Sequence, residues 1–193
     1  LELSSVYQWK GDYDLAVDYN LKSIEIAKKY DMQKLLADNF YHQSLMLISR
    51  GDYKKAKGII NKAILIAKEK EYMNNAAKYL DCLGIILRYE RKFNEAIDVI
   101  NEALAISKII GDKHGLRKYL NSVGLINEHI GDFKKAINIY LDCLKLSKQM
   151  GEKRSIAVSY NNIAGMCLLL GDFKESLKNY KKAFSYAKRI NYK

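Results

Sequence analysis

A three-residue element recurs along this chain at a constant interval. A glycine or arginine, then an aspartate or lysine, then an aromatic residue begins at positions 11, 51, 91, 131 and 171, so that successive copies are evenly spaced. Small residues keep fixed distances from this element: Ser4, Ser44, Gly84, Gly124 and Ala164 precede it, Ala16, Ala56, Ala96, Ala136 and Ser176 follow it closely, and Ser23, Ala63, Ala103, Cys143 and Ala183 follow further on. Five phased copies predict a chain of repeated structural units.

The apolar spacing within one unit predicts two helices. Between positions 116 and 130, apolar residues fall three or four apart, which is the stripe of an amphipathic helix. The segment from Ala136 to Leu144 repeats that spacing. The chain contains no proline, which suits helices joined by tight turns. Each unit is therefore predicted to be a helix–turn–helix hairpin whose apolar face is covered by its neighbours.

Glycine and aspartate at the turn have separate predicted roles. Glycine can adopt the left-handed conformation that ends the first helix. Aspartate can accept hydrogen bonds from the exposed N–H groups that begin the second helix. Gly84 and Gly124 fall in mid-helix instead, where glycine costs about 1 kcal/mol relative to alanine. We expect these two glycines at close helix crossings.

This pattern resembles the tetratricopeptide repeat, and the resemblance covers essentially the whole chain. The unit is longer than the usual ~34 residues and lacks the proline that commonly ends it, as in a longer-helix subclass. The segments 110–115 (Ile-Gly-Asp-Lys-His-Gly) and 160–165 (Tyr-Asn-Asn-Ile-Ala-Gly) are most similar to arrays of bacterial signalling proteins. The resemblance implies an all-α, right-handed α-solenoid of five helical hairpins, forming one domain with units of approximately 1–33, 34–73, 74–113, 114–153 and 154–193.

In such arrays the first helix of each hairpin lines a concave groove, where a protein or peptide ligand binds. The resemblance maps this groove onto Tyr41, Leu45, Asp81, Ile85, Asn121, Leu125 and Asn161. Amides beside an apolar strip can satisfy the N–H and C=O groups of a bound peptide. The alternative is that Asn121 and Asn161 only hydrogen-bond neighbouring helices.

The sequence contains no recognisable catalytic motif. Metalloprotease, serine-hydrolase and phosphate-loop patterns are absent, and His42, His114 and His129 fall at unrelated phases of the repeat. We therefore predict no enzyme activity, no cofactor and no metal. The predicted function is a protein- or peptide-binding scaffold, as the sensor or interaction region of a larger bacterial signal-transduction protein.

The chain is basic, with 33 lysines and arginines against 22 acidic residues and a net charge of +11. Lysines recur in every unit on faces predicted to meet solvent, and never in a run of five or six. This favours a solvated helical surface. A nucleic-acid-associated transcriptional regulator with basic ridges is the alternative, and a steep dependence of binding on salt would identify it.

Cysteine usage and hydropathy bear on the compartment. Cys82, Cys143 and Cys167 form no Cys-x-x-Cys pair, and the latter two occupy positions held by alanine or leucine in other units. Buried free thiols favour a cytoplasmic location. A periplasmic location, with the signal peptide removed, is the alternative. No stretch approaches the ~18 apolar residues of a membrane span, so we expect no membrane contact from this segment.

The two ends of the array are predicted to expose apolar surface. The last helix carries Leu177, Tyr180, Phe184, Tyr186, Ala187 and Ile190, and the first hairpin keeps only a remnant of its first helix at Leu1, Leu3, Val6 and Tyr7. Exposed patches of this kind serve as interaction sites. We expect Trp9 to pack within the first hairpin, the terminal hairpins to self-associate, and the native protein to continue past residue 193.

Overall fold

The computed structural model describes residues 2–191, without the side chains of Glu2, Ser5, Gln8, Trp9, Tyr13 and Asn191. The expectations for Leu1 and for the packing of Trp9 therefore lie outside the described residues. Every regular element in this range is an α-helix, which confirms the predicted all-α fold class. The helices are α1 (Glu2–Lys10), α2 (Tyr13–Lys29), α3 (Gln33–Ser49), α4 (Tyr53–Glu69), α5 (Met73–Tyr89), α6 (Phe93–Ile109), α7 (Lys113–Ile130), α8 (Phe133–Gln149), α9 (Lys153–Leu169) and α10 (Phe173–Asn191).

The turns between helices repeat one geometry along the chain. A residue with positive φ ends the preceding helix at Gly11, Asp31, Gly51, Glu71, Arg91, Gly111, Gly131, Gly151 and Gly171. Where an aspartate follows this residue inside a hairpin, it caps the second helix as predicted: Asp52 accepts a hydrogen bond from the Lys55 N–H at 3.2 Å, and Asp132 accepts one from Lys135 at 3.0 Å. The turns inside hairpins and the turns between hairpins therefore each contain one residue in the left-handed conformation.

The small residues lie where the two helices of a hairpin cross. At Gly124 a Cβ atom would come within 2.9 Å of Cζ in the Tyr140 ring, and at Gly84 it would meet the side chain of Ile100 at 2.6 Å. In the second hairpin Ser44 fills the same position, and its hydroxyl donates a hydrogen bond to the Ala56 carbonyl at 3.3 Å. The close crossing predicted for the two mid-helix glycines is confirmed.

Contacts divide the chain into two compact units, Leu1–Ile106 and Ser107–Lys193. In the first unit α4 packs against α3 and α5, and Ile60 and Ile86 are completely buried. In the second unit α8 packs against α7 and α9, and Tyr140, Leu144 and Ile163 belong to one apolar cluster. None of the helices in residues 2–191 has the length and apolar character needed to cross a membrane.

Candidate ligand-binding surface

The residues predicted to bind a ligand all lie on the first helix of a hairpin. In the first unit, α3 and α5 carry four of them, and in the second unit α7 and α9 carry three. We call this set the predicted row: Tyr41, Leu45, Asp81, Ile85, Asn121, Leu125 and Asn161. Its members differ widely in their exposure to solvent.

Tyr41, in the predicted row, contacts both a cation and a second aromatic ring. The ammonium of Lys78, on α5, lies 4.0 Å from the centre of the Tyr41 ring, and the Tyr79 ring centre lies 5.4 Å away. Burial raises the pKa of the Tyr41 phenol above its ordinary value, and the nearby Cys82 and Asp81 raise it further. The phenol therefore stays protonated over the physiological range, so a hydroxyl donor and a cation stand side by side on this surface.

Asp81 lies inside the helix packing, with only 1% of its surface exposed. Its side chain therefore has no direct access to a ligand in this conformation. Leu45 and Ile85, one turn further along α3 and α5, are half-buried. They supply the apolar part of the surface in the first unit.

A polar cluster joins α3 to α5 beside Tyr41. The side-chain amide of Asn75 donates a hydrogen bond to the Asp38 carboxylate at 3.1 Å, and the Lys78 ammonium lies 3.9 Å from the same oxygen. Burial lowers the pKa of His42, and the charge of Lys78 lowers it further, so this imidazole is neutral near pH 7. The Lys78 ammonium, the Asp38 carboxylate and the neutral His42 imidazole thus all lie close to Tyr41.

In the second unit, an amide of α9 that lies outside the predicted row pairs with Asn121 of α7. Asn162 donates a hydrogen bond from its side chain to the Asn121 side-chain oxygen at 3.1 Å. Asn161, its neighbour in sequence, is exposed to solvent instead, and Leu125 is half-buried. Asn121 therefore hydrogen-bonds the neighbouring first helix, while Asn161 is accessible to solvent.

Asn161 also borders an apolar cavity of about 500 Å³ on the last hairpin. We call this surface the terminal face, and its lining includes Ala157, Val158, Asn161, Tyr180, Phe184 and Ala187. The aromatic surface predicted on α10 is exposed at Phe184 and Tyr180. Tyr186 differs from that expectation, because its ring stacks on Tyr160 of the same hairpin at 6.0 Å between ring centres.

Nucleophilic and metal-binding groups are scarce in the described part of the chain. Within residues 2–191 no cluster of three His, Cys, Asp or Glu side chains has a geometry that could hold a metal ion. Cys82, Cys143 and Cys167 are buried and form no disulfide bond, as predicted for Cys143 and Cys167. Burial raises the pKa of Cys143 to about 12 and also raises that of Cys167. Such thiols are poor nucleophiles because very little thiolate forms at neutral pH.

Sequence reasoning missed three polar residues of the first unit. Lys78 contacts the Tyr41 ring, and Asp38 and Asn75 belong to the polar cluster beside it, but all three stand outside the predicted row, which follows a single phase of the repeat. Lys78 lies three residues before Asp81, on the same side of α5. That spacing was the available signal, and it would have placed a cation next to Tyr41.

Two family models match the chain. Both are described as tetratricopeptide repeat, one over residues 74–149 and the other over residues 157–189. No curated protein matches the chain.

Solved structures similar to the chain share its helical repeats. BtubC (BKLC) from P. vanneervenii superposes with a TM-score of 0.85 at 18% identity, over 98% of this chain and 78% of that protein. A Signal Transduction ATPase with Numerous Domains protein with a tetratricopeptide repeat sensor, from Pyrococcus horikoshii, gives a TM-score of 0.85 at 22% identity, over 98% of this chain and 29% of that protein. At these identities the likeness shows the fold, an all-α helical-repeat solenoid.

A third similar structure contains a bound factor. It is a Rap protein complexed with Competence and Sporulation Factor, with a TM-score of 0.68 at 16% identity. The match covers 82% of this chain and 44% of that protein. The chain thus spans under half of the Rap and ATPase structures.

Proposed function

Because this chain belongs to the tetratricopeptide repeat family, we propose that it is a protein- or peptide-binding module whose ligand lies along the first helices of its hairpins. The observation that carries this proposal is the surface around Tyr41. There a protonated phenol and the Lys78 ammonium adjoin the half-buried Leu45 and Ile85. A peptide needs both features, since its backbone polar groups must be satisfied while its apolar side chains are buried.

Each unit carries candidate ligand contacts of its own. In the first unit Tyr41 donates a hydrogen bond to the ligand, while Lys78 attracts its acidic groups. In the second unit Asn161 is the accessible amide, and Leu125 supplies the apolar contact. Asn121 contacts the ligand through its side-chain NH2 group, because its hydrogen bond to Asn162 uses only the side-chain oxygen. Asp81 is buried beneath this surface and does not contact the ligand directly.

A role in bacterial signal transduction is the finer part of the proposal. One similar structure is a signal-transduction ATPase with a tetratricopeptide repeat sensor, and another is a Rap protein in complex with a named factor. These names support a sensor or interaction region within a larger signalling protein. Because the chain spans only 29% and 44% of those two structures, their complete activities are not transferred to it.

Selection from a phage-displayed library of random peptides tests the proposal. Peptides selected on the wild-type protein are labelled, and their affinities are measured by fluorescence polarisation against the Tyr41→Ala/Asn161→Ala double variant. We expect the apparent dissociation constant to rise about tenfold, since each lost hydrogen bond contributes about 0.5–1.5 kcal/mol. Asn61→Ala/Asn138→Ala is the matched control, because both asparagines are exposed on second helices. Its affinity should equal that of the wild type.

Equal affinity of the Tyr41/Asn161 variant for every selected peptide would refute the proposed surface. The same titration against a random single-stranded oligonucleotide addresses the nucleic-acid alternative. Two results together would favour the basic-ridge regulator: the protein binds the oligonucleotide with an affinity that falls steeply as salt is added, and the library yields no binding peptide.

A further inference from the structure

Two lysine side chains converge on one aromatic ring in the second unit. The Lys148 ammonium of α8 lies 5.5 Å from the centre of the Tyr160 ring of α9, and the Lys182 ammonium of α10 lies 5.2 Å from it. Both lysines are exposed to solvent. We call these three residues the lysine–tyrosine cluster. None of them belongs to the predicted row, so the cluster is distinct from the residues of the proposed peptide-binding surface.

The Tyr160 hydroxyl is a hydrogen-bond donor without an acceptor. Only 7% of the residue is exposed, and its ring also stacks on Tyr186. No described residue forms a hydrogen bond with the hydroxyl, and its oxygen is not enclosed by protein atoms. A phenolic O–H that is held in place by packing and has no acceptor can donate to a ligand.

In the first unit the same two repeat positions carry opposite charges. Lys68 of α4 and Glu102 of α6 correspond to Lys148 and Lys182, and they form an ion pair at 2.6 Å. On α8 the position of Glu102 is held by another acidic residue, Asp142. The repeat therefore brings these positions of consecutive second helices into direct contact.

On α10 no carboxylate replaces Glu102. Within residues 2–191, neither Lys148 nor Lys182 lies within ion-pair distance of an acidic side chain. The acidic residue of α10, Glu175, accepts hydrogen bonds from Lys178 and Asn179 instead, each at 3.0 Å. Two ammoniums at positions that form an ion pair elsewhere repel each other. An anion from solution would remove this repulsion, because it would take the place that the Glu102 carboxylate has in the first unit.

The exposure of both lysines is a property of the repeat. The residues at the register of Lys148 are also exposed on α2, α4 and α6: Lys28, Lys68 and Lys108. The residues at the register of Lys182 are exposed on α4, α6 and α8: Lys62, Glu102 and Asp142. The two positions therefore face solvent in the interior hairpins as they do at Lys148 and Lys182.

We infer that the lysine–tyrosine cluster binds a phosphate group, whose oxygens accept hydrogen bonds from the Tyr160 hydroxyl and from both ammoniums. Two cations and a neutral donor match a dianion, whereas a carboxylate would leave one positive charge uncompensated. A phosphate monoester carries a charge of about −1.5 to −2 at pH 7. The flexible stems of Lys148 and Lys182 let both ammoniums reach an anion beside the hydroxyl.

Titration with small anions at pH 7 and constant ionic strength tests the site. Inorganic phosphate, N-acetyl-O-phosphoserine amide and N-acetyl-aspartate amide are added separately, and the backbone N–H signals of α9 and α10 are followed by two-dimensional NMR. We expect at least one phosphate compound to bind about tenfold more tightly than the aspartate compound. Tighter binding of inorganic phosphate would identify the free ion as the ligand, and tighter binding of the phosphoserine compound would identify a phosphate monoester. Equal affinity for the aspartate compound would overturn the inference.

Variants connect the binding to the cluster. Tyr160→Phe removes only the hydroxyl, and Phe40 at the same repeat position shows that the packing tolerates phenylalanine. Its dissociation constant for phosphate should rise about tenfold. Lys182→Glu recreates the opposite charges of the first unit, so it should abolish measurable phosphate binding and raise the melting temperature. Lys134→Gln/Lys174→Gln is the control, because it changes the net charge equally at two exposed lysines of α8 and α10. It should bind phosphate as the wild type does.

The control separates a specific site from the general attraction of a basic protein for anions. If Lys182→Glu weakens phosphate binding no more than the control does, binding follows the net charge of the chain and the inference is wrong. Unchanged affinity of Tyr160→Phe would also overturn it, since the hydroxyl is part of the inferred site. A wild-type protein that binds neither phosphate compound would overturn it directly.

Discussion

The Tyr79 hydroxyl of α5 donates a 2.8 Å hydrogen bond to the Asp38 carboxylate of α3. Asn75 donates to the same hydroxyl at 3.1 Å, and the Tyr79 side chain is completely buried. Burial raises the pKa of this phenol above its ordinary value, so the hydroxyl remains a donor throughout the physiological range. This bond fixes α3 relative to α5, and with them the position of Tyr41.

Tyr79→Phe should lower the free energy of unfolding by about 1–3 kcal/mol, because the variant loses a bond to a charged group while Asp38 stays partly buried. Urea denaturation followed by circular dichroism measures the change. Tyr89→Phe is the control, since the Tyr89 ring is largely exposed and stacks on Tyr53 at 4.9 Å between ring centres. If both variants lose the same stability, the bond to Asp38 contributes nothing specific.

Arg91→Gly should stabilise the protein by about 1 kcal/mol. Arg91 ends α5 with a φ of 60°, a conformation that costs a residue with a Cβ about 1–2 kcal/mol and that glycine adopts freely. The reciprocal variant Gly51→Arg should destabilise by a similar amount. At Gly51 φ is 77° and a Cβ would meet no atom within 4 Å, so only the backbone conformation is tested. Changes of the same sign in the two variants would contradict this account of the turn.

Gly124→Ala and Gly58→Ala should have opposite effects on stability. Both glycines are helical, but a Cβ at position 124 overlaps the Tyr140 ring, whereas one at position 58 meets nothing within 4 Å. We expect Gly124→Ala to destabilise by about 1–3 kcal/mol through overpacking. Gly58→Ala should stabilise by up to about 1 kcal/mol through helix propensity. Thermal unfolding of the two variants side by side checks the sign, and stabilisation at position 124 would mean that the crossing is not tight.

Stability should fall at alkaline pH, with a contribution from Cys143. Its thiol pKa is about 12 in the folded chain and about 8.5 when unfolded. The folded state therefore disfavours the thiolate, so the stability from this group is complete below about pH 8.5 and is lost as the pH rises towards the folded value. Between about pH 9 and 10.5, Cys143→Ala should reduce the loss of unfolding free energy by up to about 1.4 kcal/mol per pH unit.

Two features make the Cys143 experiment interpretable. Alanine occupies this register in other hairpins, at Ala63 and Ala103, so the packing tolerates it. Ser147→Ala is the control, since Ser147 is equally buried on α8 but does not titrate. An unchanged pH slope for Cys143→Ala, measured by urea denaturation at each pH, would show that this thiol does not resist ionisation in the folded protein.

The repeat was predictable from the sequence because its signals are local and recur in phase. Glycine and aspartate specify the turns. Small residues such as Gly124 and Ser44 specify where the two helices of a hairpin cross. The side-chain pairing within the binding surface was not predictable in the same way. Asn161 and Asn162 are adjacent on α9 and differ by about 100° around the helix. Only the rotation of α9 relative to α7 decides which of them meets Asn121.

The burial of Asp81 has a similar origin. Its phase matches that of Tyr41, which keeps part of its surface exposed, yet Asp81 is enclosed by the packing of its own unit. A shared phase predicts a shared direction from the helix axis. It does not predict how closely the neighbouring helix approaches at that point, which depends on side chains in another hairpin. The positive φ at Glu71 likewise follows from the geometry of the turn, since glutamate does not favour it.

The left-handed residues that end successive helices also limit how the length of this protein can change. A coding segment for one complete hairpin can be lost or duplicated between any two equivalent turns, because each new junction joins a second helix to a first helix as before. Loss of a single helix with its turn would leave the remaining turns equally intact but would place two first helices, or two second helices, in succession. The small residues of the crossing would then face the wrong partners. Recombination can therefore lengthen or shorten the array only by whole hairpins.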